Sequence, residues 1–231
     1  MSIADKLVAI AANEPRVYEA GQQAAHDRFW DAYQQNGKRR RYARAFAGEG
    51  WTNVAFMPKY DIVCGTDCRD MFRETALTGD LTQLLQAAGV TLNTRLAGEM
   101  QDCFNNASKL TKIGTIDLES CKSNVISLFK GCTALQCIEC LKVTEYTTYT
   151  NMFQNCTALS DLTIEGTIAK DISLQWCPLS RESIGSVIAA LSDTVTGVTL
   201  TLNADAVAAA FTTQEWADLV ASKPNWTIKT T

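Results

Sequence analysis

MFRETALTGDL from Met71, CFNNASKLTKI from Cys103, LFKGCTALQCI from Leu128 and MFQNCTALSDL from Met152 are four writings of one phrase. The shared pattern is Phe-x-x-Cys/Ala-x-x-Leu-x-x-Leu/Ile. It is filled by Phe104, Ala107, Leu110 and Ile113, by Phe129, Cys132, Leu135 and Ile138, and by Phe153, Cys156, Leu159 and Leu162. The first copy (Phe72, Thr75, Leu77, Leu81) fits only with a slipped register. The anchoring Phe moves from 72 to 104, 129 and 153, at intervals of 32, 25 and 24 residues. A recurring unit of this length adds one strand and one turn to a stack in which each unit covers its neighbour.

Working outward, residues 1–36 read as an N-terminal helical segment, 37–66 as an N-terminal cap, 67–178 as the stack and 179–231 as a C-terminal α/β cap. The fold class expected is α/β. In the helical segment Ile3, Leu7, Ile10, Val17, Gly21 and Ala24 fall on a 3.5-residue spacing. That stripe either packs on its own domain or, across residues 3–34, joins copies of the chain as a coiled coil. Pro15 suits the first turn of a second helical piece. Lys38, Arg39, Arg40, Arg41 and Arg44, interleaved with Tyr42 and Phe46, are read as a solvated face; a nucleic-acid contact is the alternative. Phe56 to Val63 leads into a strand.

Within the stack, strands are expected at Leu110–Thr115, Leu135–Cys140 and Leu159–Ile164. Alternation then buries Ile113, Ile138, Leu162 and Ile164. It turns Lys112, Gly114, Cys137, Glu139, Asp161, Thr163 and Glu165 outward. Asp171 to Gln175 is expected as a further rung of that sheet, showing Asp171, Ser173 and Gln175. Leu81 to Ala88 reads as a short helical insertion that lengthens the first interval. Beyond Cys177, Ser180 can cap a helix with Ile184, Val187, Ile188 and Leu191 on one face. Val198–Leu202 alternates as a half-buried strand. A helix near Thr213–Ser222 and a strand at Trp226–Ile228 close the chain, with Trp216 and Trp226 covering the final coil.

Composition excludes more than it selects. The 231 residues are 46% hydrophobic and 20% charged, with a net charge of −4, which gives no general reason to expect a nucleic-acid partner. Leu7 to Ala12 is too short to span a bilayer and lacks a small-residue cleavage site, so no membrane partner and no signal-directed export are expected. Nine cysteines without a secretory signal argue for reduced thiols, and those recurring in the phrase for packing.

With these motifs in view, the chain resembles BspA-type leucine-rich-repeat proteins, most closely at MFQNCTALSDLTI, Met152 to Ile164. The resemblance covers about residues 60–180. The flanks IADKLVAIAANEPRVYEAG (Ile3 to Gly21), FWDAYQQNG (Phe29 to Gly37), GWTNVAFMPKYDI (Gly50 to Ile62), CPLSRESI (Cys177 to Ile184) and NWTI (Asn225 to Ile228) are similar to leucine-rich-repeat proteins encoded in prophages of gut Gram-positive bacteria. The resemblance implies a right-handed solenoid without a catalytic role, virion- or tail-associated, binding a protein or a cell-surface glycan. Few repeats, a degenerate first copy and no wall anchor depart from a secreted adhesin.

Candidate chemistry is sparse. Cys137-x-x-Cys140 on a regular strand would point its thiols to opposite faces, and the single His26 removes the usual Cys/His zinc sets, so no metal and no cofactor are expected. His26 lies far from any Ser or Cys, and no Gly-x-Ser-x-Gly elbow or phosphate-cradling glycine loop occurs. Glu139, Asp161, Glu165 and Asp171 could pair as the carboxylates of a hydrolase, but on an open sheet they are expected to be solvated. The expectation is therefore a non-catalytic binding face of Lys112, Glu139, Asp161, Thr163, Glu165, Asp171, Ser173 and Gln175. The alternative is a structural virion part docked through its N-terminal helix and basic cluster, with the repeats as a spacer.

Overall fold

The computed structural model describes residues 62–63, 68–87, 92–94, 98–121 and 125–231. The expected N-terminal helix and self-association stripe, His26, the basic cluster and the strand before Ile62 lie outside the described residues. Among the described residues thirteen elements follow in order. They are β1 (Ile62–Val63), β2 (Gly79–Asp80), α1 (Leu81–Ala87), β3 (Leu92–Asn93), β4 (Leu110–Asp117), β5 (Cys137–Val143), β6 (Asp161–Gly166), β7 (Ile172–Leu174), α2 (Arg181–Ala189), β8 (Val198–Leu202), α3 (Ala204–Ala210), α4 (Thr213–Ala221) and β9 (Trp226–Thr230). The fold is mixed α/β, and among the described residues every strand pairing is parallel: β1 with β3, then β2-β4-β5-β6, then β7-β8-β9.

The repeated phrase builds a second ladder beside the sheet. Phe72, Phe104, Phe129 and Phe153 are fully buried. Their rings stack with centroids 5.3, 5.6 and 5.8 Å apart. The backbone follows: Phe72 N–H donates to the Cys103 carbonyl, Phe104 N–H to Leu128 and Phe129 N–H to Met152. Each Phe is flanked two residues away on both sides by a left-handed residue. The pairs are Asp70/Glu74, Asp102/Asn106, Ser127/Gly131 and Asn151/Asn155. Asp and Asn tolerate that conformation better than other side chains, and glycine adopts it freely. Three residues after each Phe the small residue is buried, and the thiols of Cys132 and Cys156 donate to the carbonyls of Phe104 and Phe129, each at 3.0 Å. The cysteines that draw attention in the sequence are thus packing residues with a local hydrogen bond. The first copy keeps this register through Phe72 and Thr75. It slips afterwards, so that Gly79 pairs with Leu110.

Several expectations change. The strands of the last two copies begin two residues late, at Cys137 and Asp161, because Leu135 and Leu159 still belong to the turn. Gly114 is turned outward as expected but is not exposed: α1 lies over it, and a Cβ there would meet Thr82 Oγ1 at 2.5 Å and Glu139 Oε2 at 3.6 Å. Val198–Leu202 does not alternate cleanly, since Thr201 is buried. The largest change concerns Asp171 to Gln175. Cys177 donates its backbone N–H to Leu174 as Cys156 does to Phe153, and its thiol lies 3.9 Å from the Phe153 carbonyl. Leu174 therefore occupies the Phe position. The segment continues the turn ladder rather than the β4-β5-β6 sheet, and β7 pairs with β8.

The strand expected in that place is replaced by α2. Ser180 caps it, accepting from Ser183 N–H, and Ile184, Val187 and Ile188 bury its inner face, with Leu191 beyond its end. An uncovered edge on β6 would leave a row of unpaired amides. Two helical serines take them: Leu162 N–H donates to Ser183 Oγ and Ile164 N–H to Ser186 Oγ, both at 2.9 Å. Replacing Ser183 with alanine orphans a buried donor, which costs about 1–3 kcal/mol. Urea denaturation should show that loss, with faster amide exchange at Leu162. An unchanged midpoint and exchange rate would contradict the edge-capping role.

At the far end α3, capped by Asn203, and α4 with the capping box Thr212/Glu215 close the chain. Trp226 is buried with its Nε1 donating to the Ser192 carbonyl, and Trp216 packs partly buried against the core. Arg181 ties α2 to this cap, donating to the Ala210 carbonyl and to Glu215 Oε1 at 2.7 and 2.8 Å. That guanidinium, with the Thr212 backbone and hydroxyl, holds the Glu215 carboxyl at about 2, below its ordinary 4.5. A depressed folded value means the contribution to stability is present above 4.5 and is lost as pH falls through about 2. Carboxyl NMR titration should find Glu215 near that value, and Arg181→Ala should raise it. Among the described residues no helix is long and apolar enough to cross a membrane.

Candidate functional site

Five of the eight expected binding residues share the outer face of β4, β5 and β6. Register aligns Lys112 with Cys137 and Cys137 with Asp161, and aligns Asp117 with Lys142 and Lys142 with Glu165. Lys112 Nζ lies 2.5 Å from Glu139 Oε1 and 3.9 Å from Asp80, the residue that caps α1 through Thr82 N–H. Lys142 Nζ lies 2.9 Å from Glu165 Oε2. The hydrogen bonds to Glu139 and Glu165 raise both lysines, and Lys142 in turn lowers Glu165. These are surface pairs, each worth little to stability, but they align the row. Thr163 and Asp161 are exposed, with Ser160 Oγ donating to Asp161 Oδ2 at 2.9 Å.

The thiol pair is placed differently from the regular-strand expectation. Between Ile138 and Leu141 the β5–β6 register shifts, so that both Glu139 and Cys140 stand opposite Thr163. This bulge restores Leu141 to the core and leaves Cys140 on the charged side, near the Glu165 carboxylate. Burial first, and then neighbouring carboxylates, push Cys140 up; burial also pushes up Cys137, against the pull of Lys112. Protonated thiols are weak nucleophiles and weak metal ligands. Among the described residues no three His, Cys, Asp or Glu side chains form a metal set, and Cys132, Cys137, Cys140, Cys156 and Cys177 are free thiols. A glycosidase acid needs a raised carboxyl, whereas Glu165 is lowered.

A cleft of about 380 Å³ opens between this face and α2, lined by Glu139, Asp161, Thr163, Glu182 and Ser183 among others. Its carboxylates give it a negative character.

Asp171, Ser173 and Gln175 are not on that face. Asp171 Oδ1 accepts from Thr199 N–H at 2.7 Å, inside the β7-β8 junction. Ser173 and Gln175 line a separate cleft of about 150 Å³ beside the Phe turns, with Tyr149, Asn151, Gln154 and Trp176. Trp176 also lines a neighbouring cleft of about 670 Å³ with Pro178, Arg181, Asn203 and Asp205. Sequence reasoning missed Tyr149, Asn151, Gln154 and Trp176 because the turns were credited with packing alone. The available signal was positional. Trp176 stands two residues after Leu174, where Gly131 and Asn155 stand after their Phe, and it is 43% exposed there. Comparison with family models, with curated proteins and with solved structures finds no match for this chain.

Proposed function

We propose that the chain is a non-catalytic binding module, a right-handed BspA-type leucine-rich-repeat solenoid with terminal caps, that engages a protein or a cell-surface glycan as a phage tail or virion part. The observation that carries this reading is the outer face of β4, β5 and β6. Lys112, Glu139, Asp161, Thr163 and Glu165 form a polar row on rigid parallel strands. Its lysines are already paired, while the acidic cleft beside α2 stays open. Rigid elements hold a recognition surface more closely than loops do. Burial raises the thiols of Cys137 and Cys140 and the Lys142 pair lowers Glu165, which supports a binding role for these three side chains.

The test is binding of labelled full chain to intact Gram-positive gut bacteria. The double variant Asp161→Lys/Glu165→Lys should weaken binding by about tenfold or more, the effect of losing a central contact. Binding that survives the double charge reversal but disappears with residues 1–36 would overturn the sheet-face reading in favour of docking through the N-terminal segment.

A further inference from the structure

The cleft beside the Phe turns carries chemistry that neither packing nor the sheet-face reading uses. We propose that it is a saccharide site, taking one neutral pyranose unit of a glycan against Trp176, with the neighbouring cleft receiving the next unit. This rests on the reading of the chain as a binding module, and it moves glycan recognition from the sheet to the turn side.

Four observations converge. Tyr149 is 4% exposed and lines the cleft, yet its hydroxyl has no hydrogen-bond partner. A buried hydroxyl left unpaired is costly and calls for an explanation, of which a ligand hydroxyl is one. Trp176 is 43% exposed on the rim of both clefts, a flat apolar platform of the kind that C–H faces of sugar rings stack on. Asn151, Gln154 and Ser173 present amides and a hydroxyl that make no side-chain hydrogen bond within the described residues. Gln175 is held in place, its carbonyl accepting from Asn203 Nδ2 and its Oε1 from Thr231 Oγ1, which leaves its Nε2 to donate.

Every polar group in the smaller cleft is uncharged, and most can both donate and accept. Sugar hydroxyls have the same dual character, which matches such a lining group for group. A phosphate or a carboxylated sugar would find no cation there. The volume of about 150 Å³ suits a single ring. Sharing of Trp176 between the two clefts suits a chain rather than a monosaccharide.

The test titrates full-length protein with neutral hexose and N-acetylhexosamine oligosaccharides, followed by calorimetry. At least one should bind. Trp176→Ala should weaken it about tenfold or more, and Tyr149→Phe should weaken it with the thermal midpoint unchanged or higher, since the variant removes an unpaired buried hydroxyl. Gly185→Ala, in α2 and outside both clefts, should bind the sugar as the parent does. Equal binding by the parent, Trp176→Ala and Tyr149→Phe would overturn the site. Failure of the parent to bind any oligosaccharide would overturn it too, while the cell-binding assay would still decide the module reading independently.

Discussion

Replacing Phe129 with alanine is expected to cost about 3–5 kcal/mol, the range for truncating a fully buried aromatic side chain. The ring lies between those of Phe104 and Phe153, at 5.6 and 5.8 Å, and has no solvent exposure. Two kinds of loss combine. One is the apolar surface and the cavity left in a layer that rigid backbone ladders on either side prevent from collapsing. The other is two ring–ring contacts, each worth about 0.5–1.5 kcal/mol beyond burial. Phe153 makes one such contact among the described residues, so Phe153→Ala should cost less by about one of those increments. Phe129→Leu should cost less still, since Leu174 fills the same place in the next coil. Urea denaturation of the three variants gives the order. A Phe129→Ala loss no larger than that of Phe153→Ala would show that the rings are packed independently.

The ladder was the most legible part of the molecule because it is written in one-dimensional spacing. Phe104, Phe129 and Phe153, with Cys132 and Cys156, repeat at intervals that the backbone must honour to stack. The α2 cap was legible for a similar local reason, a Ser before an apolar face. Less legible were choices made between copies. The bulge at Glu139 and Cys140 has no marker of its own in CIECLKV; it exists because Leu141 must return to the core opposite Ile164. Alternation alone therefore sent Cys140 to the wrong face. The short helix α3 carries one buried apolar side chain, Val207, too few to show a period, and only its Asn203 cap marks it.

The candidate surface suffered most from one misregistered segment. Ile172-Ser173-Leu174 alternates well enough to pass for a rung of the sheet, but Leu174 and Cys177 repeat the spacing of Phe153 and Cys156. Recognition of that fifth, Phe-less copy moves Ser173 and Gln175 to the turn side and brings them beside Tyr149, Asn151 and Trp176. A polar residue's face follows from its register, so an error of register transfers whole groups of side chains to another surface.

Gly166 and Gly185 should respond in opposite directions to the same substitution, and the contrast tests the end of the sheet. Gly166 closes β6 with φ at +101°, a conformation that side chains rarely adopt. A Cβ there would also sit 2.0 Å from the Val143 carbonyl oxygen, on the strand paired with it. Neither problem can be relieved by a side-chain rotation, because both partners are backbone. Gly166→Ala must therefore unpair the end of β5 and β6, at a cost of about 3 kcal/mol, the upper part of the range for backbone strain. Gly185 lies within α2 and a Cβ meets nothing within 4 Å. Alanine there removes the conformational freedom that glycine brings to the unfolded chain, and should stabilise by about 0.5–1 kcal/mol. Thermal denaturation of the two single variants should move the midpoint down for the first and up for the second. A Gly166→Ala protein as stable as the parent would mean that β6 can end without the Val143–Gly166 pairing, and the serine-capped edge beside it would then lose its fixed register.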